Sequence, residues 1–198
     1  MRGYVYVVDD DLSVGKSIER LLSFYDYEVQ AHQSGASFFE SQPFNSPSVL
    51  LLDMRMPELN GIDVQKRLID QGIDIPVIFI SGESLPQEIV GGMKNGAVDF
   101  LFKPFKVDEL ITALDHALAQ QEQKIELKNN TKHVQEKYES LTSRQKEVCD
   151  YLVQGLNNTS ISSKLGITYD AVKLHKRHVL DKMGVDSVVV LTRMFFKN

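Results

Sequence analysis

Five times within the first 120 residues, a short strand-like run gives way to a stretch whose apolar side chains recur every three or four positions. The runs cover about residues 4–8, 28–31, 49–52, 76–80 and 99–102. Val49-Leu50-Leu51-Leu52 and Val77-Ile78-Phe79-Ile80 lack polar alternation, which suits central parallel strands covered on both faces. The segments between them, 12–24, 34–39, 61–71, 86–95 and 107 onward, carry helical spacing; in the first, Val14, Ile18, Leu21 and Leu22 fall on one side. Ser84 ahead of Pro86 reads as the start of the fourth helix and Asn95-Gly96 as its end. Strict β/α alternation predicts an α/β fold, a doubly wound parallel sheet with helices on both faces and ligands beyond the carboxyl ends of the strands.

Chemically active side chains stand at those ends. Asp9, Asp53 and Ser81 each follow directly on an apolar run, and Lys103 follows the fifth. Two like charges at ~4 Å and an effective dielectric of about 20 repel by about 4 kcal/mol. Asp9, Asp10 and Asp53 at one sheet edge therefore require a divalent cation, a proton or a lysine, and Lys103 supplies the last. The pattern points to a cation site with chemistry on one carboxylate. Asp9-Asp10-Asp11 alone would also suit a helix start, where acids favour the first turn, and Asp11 is assigned that capping role.

The net charge of −5 hides a division. Residues 1–120 hold 9 Lys/Arg and 18 Asp/Glu, residues 121–140 hold 4 and 4, and residues 141–198 hold 9 and 5. An acidic part joined to a basic part points to regulation coupled to a polyanion, although a merely solvated basic surface has the same composition. The longest apolar runs are far too short to cross a bilayer, and the N-terminal residues lack the basic, apolar and small-residue regions of an export signal. A cytoplasmic location and no membrane partner are the expectation. The single Cys149 falls on the apolar side of a helix and reads as a buried thiol.

Residues 121–140 carry only Ile125, Leu127, Val134 and Tyr138 as sizeable apolar side chains and read as a charged helical linker, with Asn129-Asn130-Thr131 as its break. Ile125 and Leu127 could instead enter a dimer seam. From Leu141 the period is purely helical. Thr142-Ser143-Arg144-Gln145 has capping-box spacing, a short helix over 159–165 ends at Gly166, and Thr168 caps a longer one running to Met183 and Gly184. Two helices joined by a three-residue turn beginning at glycine form a helix-turn-helix pattern.

Val7-Val8-Asp9-Asp10, Leu51-Leu52-Asp53-Met54-Arg55-Met56-Pro57, Phe79-Ile80-Ser81-Gly82 and Phe102-Lys103-Pro104-Phe105 resemble the receiver domain of bacterial two-component response regulators. Leu141-Thr142-Ser143-Arg144-Gln145 and the segment from Gly155 to Gly184 resemble the LuxR-type helix-turn-helix, and the pairing is similar to the NarL/FixJ subfamily. The resemblance implies a flavodoxin-like receiver over residues 1–120 with strand order 2-1-3-4-5, a helical linker over 121–140, and an all-α four-helix DNA-binding domain over 141–198. It implies that Asp53 takes a phosphoryl group from a histidine kinase, with Mg²⁺ held by Asp9, Asp10, Asp53 and the backbone carbonyl of Arg55. Lys103 and Ser81 would contact the phosphoryl oxygens, Phe100 would turn inward as the switch residue (or be plain core), and the Lys103-Pro104 bond would be cis. A carboxylate nucleophile, charge neutralisation and positioning suffice for such a transfer. The chain would then be no enzyme beyond its own phosphorylation and dephosphorylation. Arg55 and Glu83, each two positions past a site residue, are expected to form an ion pair across the site mouth.

In the helix after Thr168, Val172, Val179 and Met183 share one face, while Asp170, Lys173, Leu174 and Arg177 lie opposite. Lys173, Leu174 and Arg177 suit base edges and a thymine methyl in double-stranded DNA. Thr168, Lys176 and His178 suit phosphates, and His175 reads as a core residue. Leu174 is bulkier than the family's usual residue, and Gln145 replaces a usual glutamate. The last helix, 187–196, displays surplus apolar surface, and Val188, Leu191 and Phe195 are expected to pair two DNA-binding domains in a homodimer formed on activation. RNA polymerase is a further partner of such regulators. Two other readings compete. A phosphatase using aspartyl-phosphate chemistry would lack its second aspartate, because Arg55 stands there, and an unphosphorylated binding module would leave the acidic site idle.

Overall fold

The structure, a computed structural model, describes residues 2–196. Its N-terminal part holds β1 (Gly3–Val8), β2 (Tyr27–His32), β3 (Ser48–Asp53), β4 (Val77–Ser81) and β5 (Asp99–Phe102). Between and after them come α1 (Leu12–Leu22), α2 (Gly35–Glu40), α3 (Gly61–Asp70), α4 (Pro86–Lys94) and α5 (Val107–Glu139). The strands form one parallel sheet in the order β2-β1-β3-β4-β5. The expected strand bounds hold to within a residue or two.

Strand parity builds two cores. Val5, Val7, Val49, Leu51, Ile78 and Ile80 point to one face and meet Ile18 and Leu22 of α1 with Leu110 and Leu114 of α5. Tyr6, Val8, Leu50, Leu52, Val77 and Phe79 point to the other and meet Phe38 of α2 with Val64 and Leu68 of α3. Every residue of β3 is buried, so this strand has no polar face, as its sequence requires. Each such side chain contributes roughly 1.5–3 kcal/mol when fully buried. The helices on both faces are therefore held by the strands they cover.

At the end of β2 the ring of His32 stacks on Tyr6, with centroids 6.2 Å apart, and meets Phe38 edge-on at 5.7 Å. Its Nε2 is buried without a hydrogen-bond partner among the described residues, and burial holds its pKa below the ordinary 6.5. The unfolded chain then binds this proton more readily, so stability is full above the unfolded value and declines as pH falls through it toward the folded value. Urea midpoints measured from about pH 8 down to about pH 5 are expected to fall, with a shallower slope in His32→Phe. Equal slopes would remove His32 from the account.

The fourth helix begins differently from the expectation. Its cap position is Leu85, not Ser84, and the Leu85 N–H donates to the Glu88 carboxylate at 2.7 Å. The expected linker break is likewise absent: α5 runs unbroken through Asn129-Asn130-Thr131. Each of these residues costs only a few tenths of a kcal/mol to about 0.7 kcal/mol in a helix, and the Thr131 hydroxyl is absorbed by the Leu127 carbonyl at 2.9 Å. The first compact unit ends at Lys124 and the second begins at Ile125, both within α5. In the first, buried Gln121 accepts the Ser48 N–H and donates to the Asp74 carbonyl at 2.9 Å. In the second, Val134 and Tyr138 pack against the core, so those sparse apolar positions do serve one.

The C-terminal unit continues with α6 (Ser143–Val153), α7 (Asn158–Leu165), α8 (Tyr169–Met183) and α9 (Val188–Phe196). Thr142 and Gln145 cap α6 reciprocally at 3.0 and 3.3 Å. Gly166, at φ 62°, turns α7 into α8 through a backbone conformation that glycine adopts without steric cost. The core gathers Leu141, Val148, Cys149, Leu152, Ile161, Val172, Val179, Met183 and Leu191. Burial pushes the Cys149 thiol up to about 12.

Leu191 corrects the expectation for α9. It is fully buried in its own unit, with Val188 and Phe195 packed partly against the same core. These three lie at i, i+3 and i+7, one helical stripe, and that stripe faces inward. The exposed apolar side chains of α9 are Val189, Val190 and Phe196.

Candidate functional site

Ladder register delivers the site residues to one edge. Val8 pairs with Leu52 and with His32, and Asp53 pairs with Ile80. One residue further on, the Asp9 N–H donates to the His32 carbonyl at 3.1 Å and the Lys103 N–H to the Ser81 carbonyl at 2.8 Å. Asp9, Asp53, Ser81 and Lys103 are thus brought together because four apolar strands stop in register.

Asp9 and Asp53 are both buried, and the Lys103 Nζ lies 2.5 Å from Asp9 Oδ2 and 2.8 Å from Asp53 Oδ1. The second oxygen of Asp53 accepts the Arg55 N–H at 2.9 Å, and the second oxygen of Asp9 accepts the Asp11 N–H at 3.0 Å. Burial holds Asp53 above the usual carboxylate range, because Lys103 divides its compensation between two acids and the Asp9 charge opposes ionisation. Burial opposes the charge on Lys103 as well, but its bonds to Asp53 and Asp9 outweigh that and keep its pKa raised. The result is a deep acidic pair with one shared cation. Asp11 caps α1 by accepting the Ser13 N–H at 2.8 Å, and the Ser13 hydrogen bonds hold its carboxyl low.

Asp10 follows directly on Asp9 of this pair. It is exposed, and among the described residues no three His, Cys, Asp or Glu side chains gather closely enough to hold a metal ion. A third carboxylate closing on a pair that shares one ammonium meets about 4 kcal/mol of repulsion per close neighbour, which a divalent cation would relieve. The donors that do converge are hard carboxylate oxygens already closed on a cation, which fits Mg²⁺ in chemistry.

Ser81, buried at the end of β4, donates to the Glu83 carbonyl at 2.9 Å. Phe100 is half-buried against the second core, its ring 4.8 Å from that of Phe102. The Lys103-Pro104 bond is cis. The ion pair expected between Arg55 and Glu83 is instead made with Glu88, at 3.5 Å, because the first turn of α4 carries that carboxylate round to the site. Glu88 was not singled out from the sequence. Its signal was its place three residues after the cap position, where a carboxylate reaches back to the helix start.

In the second unit, Lys173, Leu174, Arg177 and His178 are exposed on α8, Leu174 to 54%. Thr168 is exposed and caps the helix, accepting the Ala171 N–H at 3.2 Å. Lys176 is half-buried, as is His175, whose buried Nδ1 has no hydrogen-bond partner among the described residues, so His175 is not the satisfied core residue expected. The Lys173 ammonium lies 5.9 Å from the centre of the Tyr169 ring. Arg144 donates to the Leu165 carbonyl at 2.7 Å, tying α6 to the end of α7.

Residues 5–115 match the family described as "Response regulator receiver domain", and residues 139–195 match "Bacterial regulatory proteins, luxR family". The chain is 35% identical over 190 residues to the response regulator protein TmoT of Ectopseudomonas mendocina, covering 96% of this chain and 86% of that protein. It is 34% identical over 193 residues to the transcriptional regulatory protein FixJ of Rhizobium meliloti (strain 1021), covering 96% and 93%. The solved structure of the response regulator StyR superposes with a TM-score of 0.89 at 31% identity, covering 100% of both chains. Receiver domains typically use Mg²⁺, and the two matched domains bring a kinase and DNA as partner classes. Among the described residues no helix is long and apolar enough to cross a membrane. Carrying a receiver ahead of a LuxR-type helix-turn-helix along nearly its whole length, the chain belongs to the NarL/FixJ family of two-component response regulators and is a DNA-binding transcriptional regulator.

Proposed function

We propose that Asp53 is the phosphoacceptor through which a histidine kinase controls DNA binding by α8. The observation that carries this is the Lys103 ammonium closed between buried Asp9 and Asp53 at adjacent strand ends. Asp53 supplies the attacking carboxylate oxygen, and its backbone-bonded second oxygen fixes the plane of attack. Lys103 turns from carboxylate to phosphoryl oxygens, and Ser81 exchanges the Glu83 carbonyl for another of them. Asp9, Asp10, Asp53 and the Arg55 carbonyl would hold Mg²⁺, which when bound neutralises the carboxylates and phosphoryl oxygens. Phe100, half-buried rather than locked in the core, is free to follow Ser81 inward. The protein works in the cytoplasm, forms a homodimer on activation and meets RNA polymerase at the promoter.

Light scattering after size exclusion, with and without beryllofluoride and Mg²⁺, tests the switch. The mass is expected to shift to a dimer with tighter duplex binding, and no change in either would overturn the proposal. On the DNA side, Lys173, Leu174 and Arg177 face the bases, while Thr168, Lys176 and His178 position the helix on phosphates. Lys173 is expected to neutralise one phosphate as well as reach a base edge. Lys173→Ala should therefore lower the slope of log affinity against log salt by about 1 on any duplex, measured by fluorescence anisotropy. An unchanged slope would leave Lys173 outside the interface.

A further inference from the structure

Helix α4 is fastened unevenly. Gly92 lies so close to β4 that a Cβ there would stand 2.6 Å from Cε2 of Phe79, and buried Gln65 of α3 donates to the Gly92 carbonyl at 3.0 Å. The first turn is less enclosed, with the cap residue Leu85 more than half exposed and Pro86 and Gln87 exposed after it. Beside its own backbone bonds to the Leu85 carbonyl, one side-chain atom ties it to the site: Glu88 Oε2, which accepts the Leu85 N–H at 2.7 Å and stands 3.5 Å from Nη2 of Arg55. Arg55 in turn gives its N–H to Asp53 Oδ2 at 2.9 Å. A short series of contacts thus leads from the reacting carboxylate to the start of α4.

We propose that Arg55 is a positioning residue shared between two anions: Glu88 holds its guanidinium when Asp53 is bare, and a phosphoryl group on Asp53 draws it away, releasing the first turn of α4. This rests on the reading of Asp53 as the phosphoacceptor. A phosphoryl group brings up to about two negative charges and three acceptor oxygens, which match the guanidinium fork better than a single 3.5 Å contact does. The Arg55–Glu88 pair is half exposed and correspondingly weak. Its strength is nevertheless what the phosphoryl group must overcome, so the two residues act on phosphoryl affinity with opposite signs. A Glu88 that only capped α4 would show no such opposition.

The test uses the full chain, with beryllofluoride plus Mg²⁺ as the probe and isothermal titration as the readout. Glu88→Gln keeps an oxygen for the Leu85 N–H while losing the charge. It is expected to bind the probe about two- to fivefold tighter, and Arg55→Ala about two- to fivefold weaker. The double variant should match Arg55→Ala, because Glu88 acts only through Arg55. Weaker binding by Glu88→Gln, or the same gain with and without Arg55, would overturn the proposal while leaving Asp53 as the acceptor. If wild type failed to bind, or Asp53→Asn bound equally well, the acceptor reading and this proposal would fall together.

Discussion

Asp53→Asn is expected to take up no phosphoryl group from acetyl phosphate and Mg²⁺, read by intact-protein mass spectrometry, while staying at least as stable as wild type. The amide has the same shape and keeps an oxygen for the Arg55 N–H, and Lys103 retains Asp9 as its partner. What disappears is the anionic nucleophile, and with it the acyl phosphate. Stability follows from the sign of the Asp53 shift. Its folded pKa is raised, so its favourable contribution is complete below the unfolded value and is lost as pH rises through the folded one. At neutral pH the ionised group is a burden on the fold. Asparagine removes it, so urea midpoints near neutrality should hold or rise. Phosphorylation of the variant at an unchanged level would move the acceptor to Asp9 or Asp10.

Gly61→Ala should destabilise the receiver by about 3 kcal/mol, the upper part of the range for overpacked sites. A Cβ at this position would fall 2.5 Å from the Asp53 carbonyl oxygen, 3.0 Å from Cα of Met54 and 3.1 Å from Cε1 of Phe79. The first two obstacles are backbone of the buried central strand and its exit, so no side chain can rotate away. Relief would require α3 to back off β3, losing the Gly61 N–H bond to the Met54 carbonyl at 3.0 Å. The unfolded-chain entropy gain of alanine over glycine offsets only about 0.4–1 kcal/mol. The clash wins, and because it bears on the carbonyl of Asp53 itself, phosphoryl uptake should fall along with the urea midpoint. A midpoint equal to wild type would show that α3 has room to move.

The sheet and its acidic edge were legible because both are written in where apolar runs stop. Val8, Leu52 and Ile80 are each the last apolar residue before a polar side chain, and parallel register then aligns Asp9, Asp53 and Ser81 without further information. Glu88 was harder to see. Its partnership with Arg55 depends on how far the β4–α4 loop travels before the helix begins, and loop path has no periodic signature. In α9 nearly every side chain is apolar, so hydrophobicity carries no phase, and only the fold shows that Leu191 is buried in the unit's own core with Val188 and Phe195 packed partly against it. At Asn129-Asn130-Thr131 a weak local preference for breaking was set against a helix secured on both sides, by Gln121 below and Val134 above. Local propensity loses such contests.

Tyr138 carries a consequence for how modules of this kind can be exchanged. The matched helix-turn-helix begins at residue 139, but the Tyr138 ring lies edge-on to Phe195 at 5.8 Å, its hydroxyl donates to Asp150 at 2.8 Å, and Lys146 sits 5.3 Å from its centre. Lys137 closes the end of α8 by donating to the Met183 carbonyl at 3.0 Å. A recombination joint placed where the sequence family begins would therefore strip the transplanted module of one wall of its core. The heritable unit reaches back into the preceding helix, and grafts that respect Val134 are the ones that carry a complete fold with them.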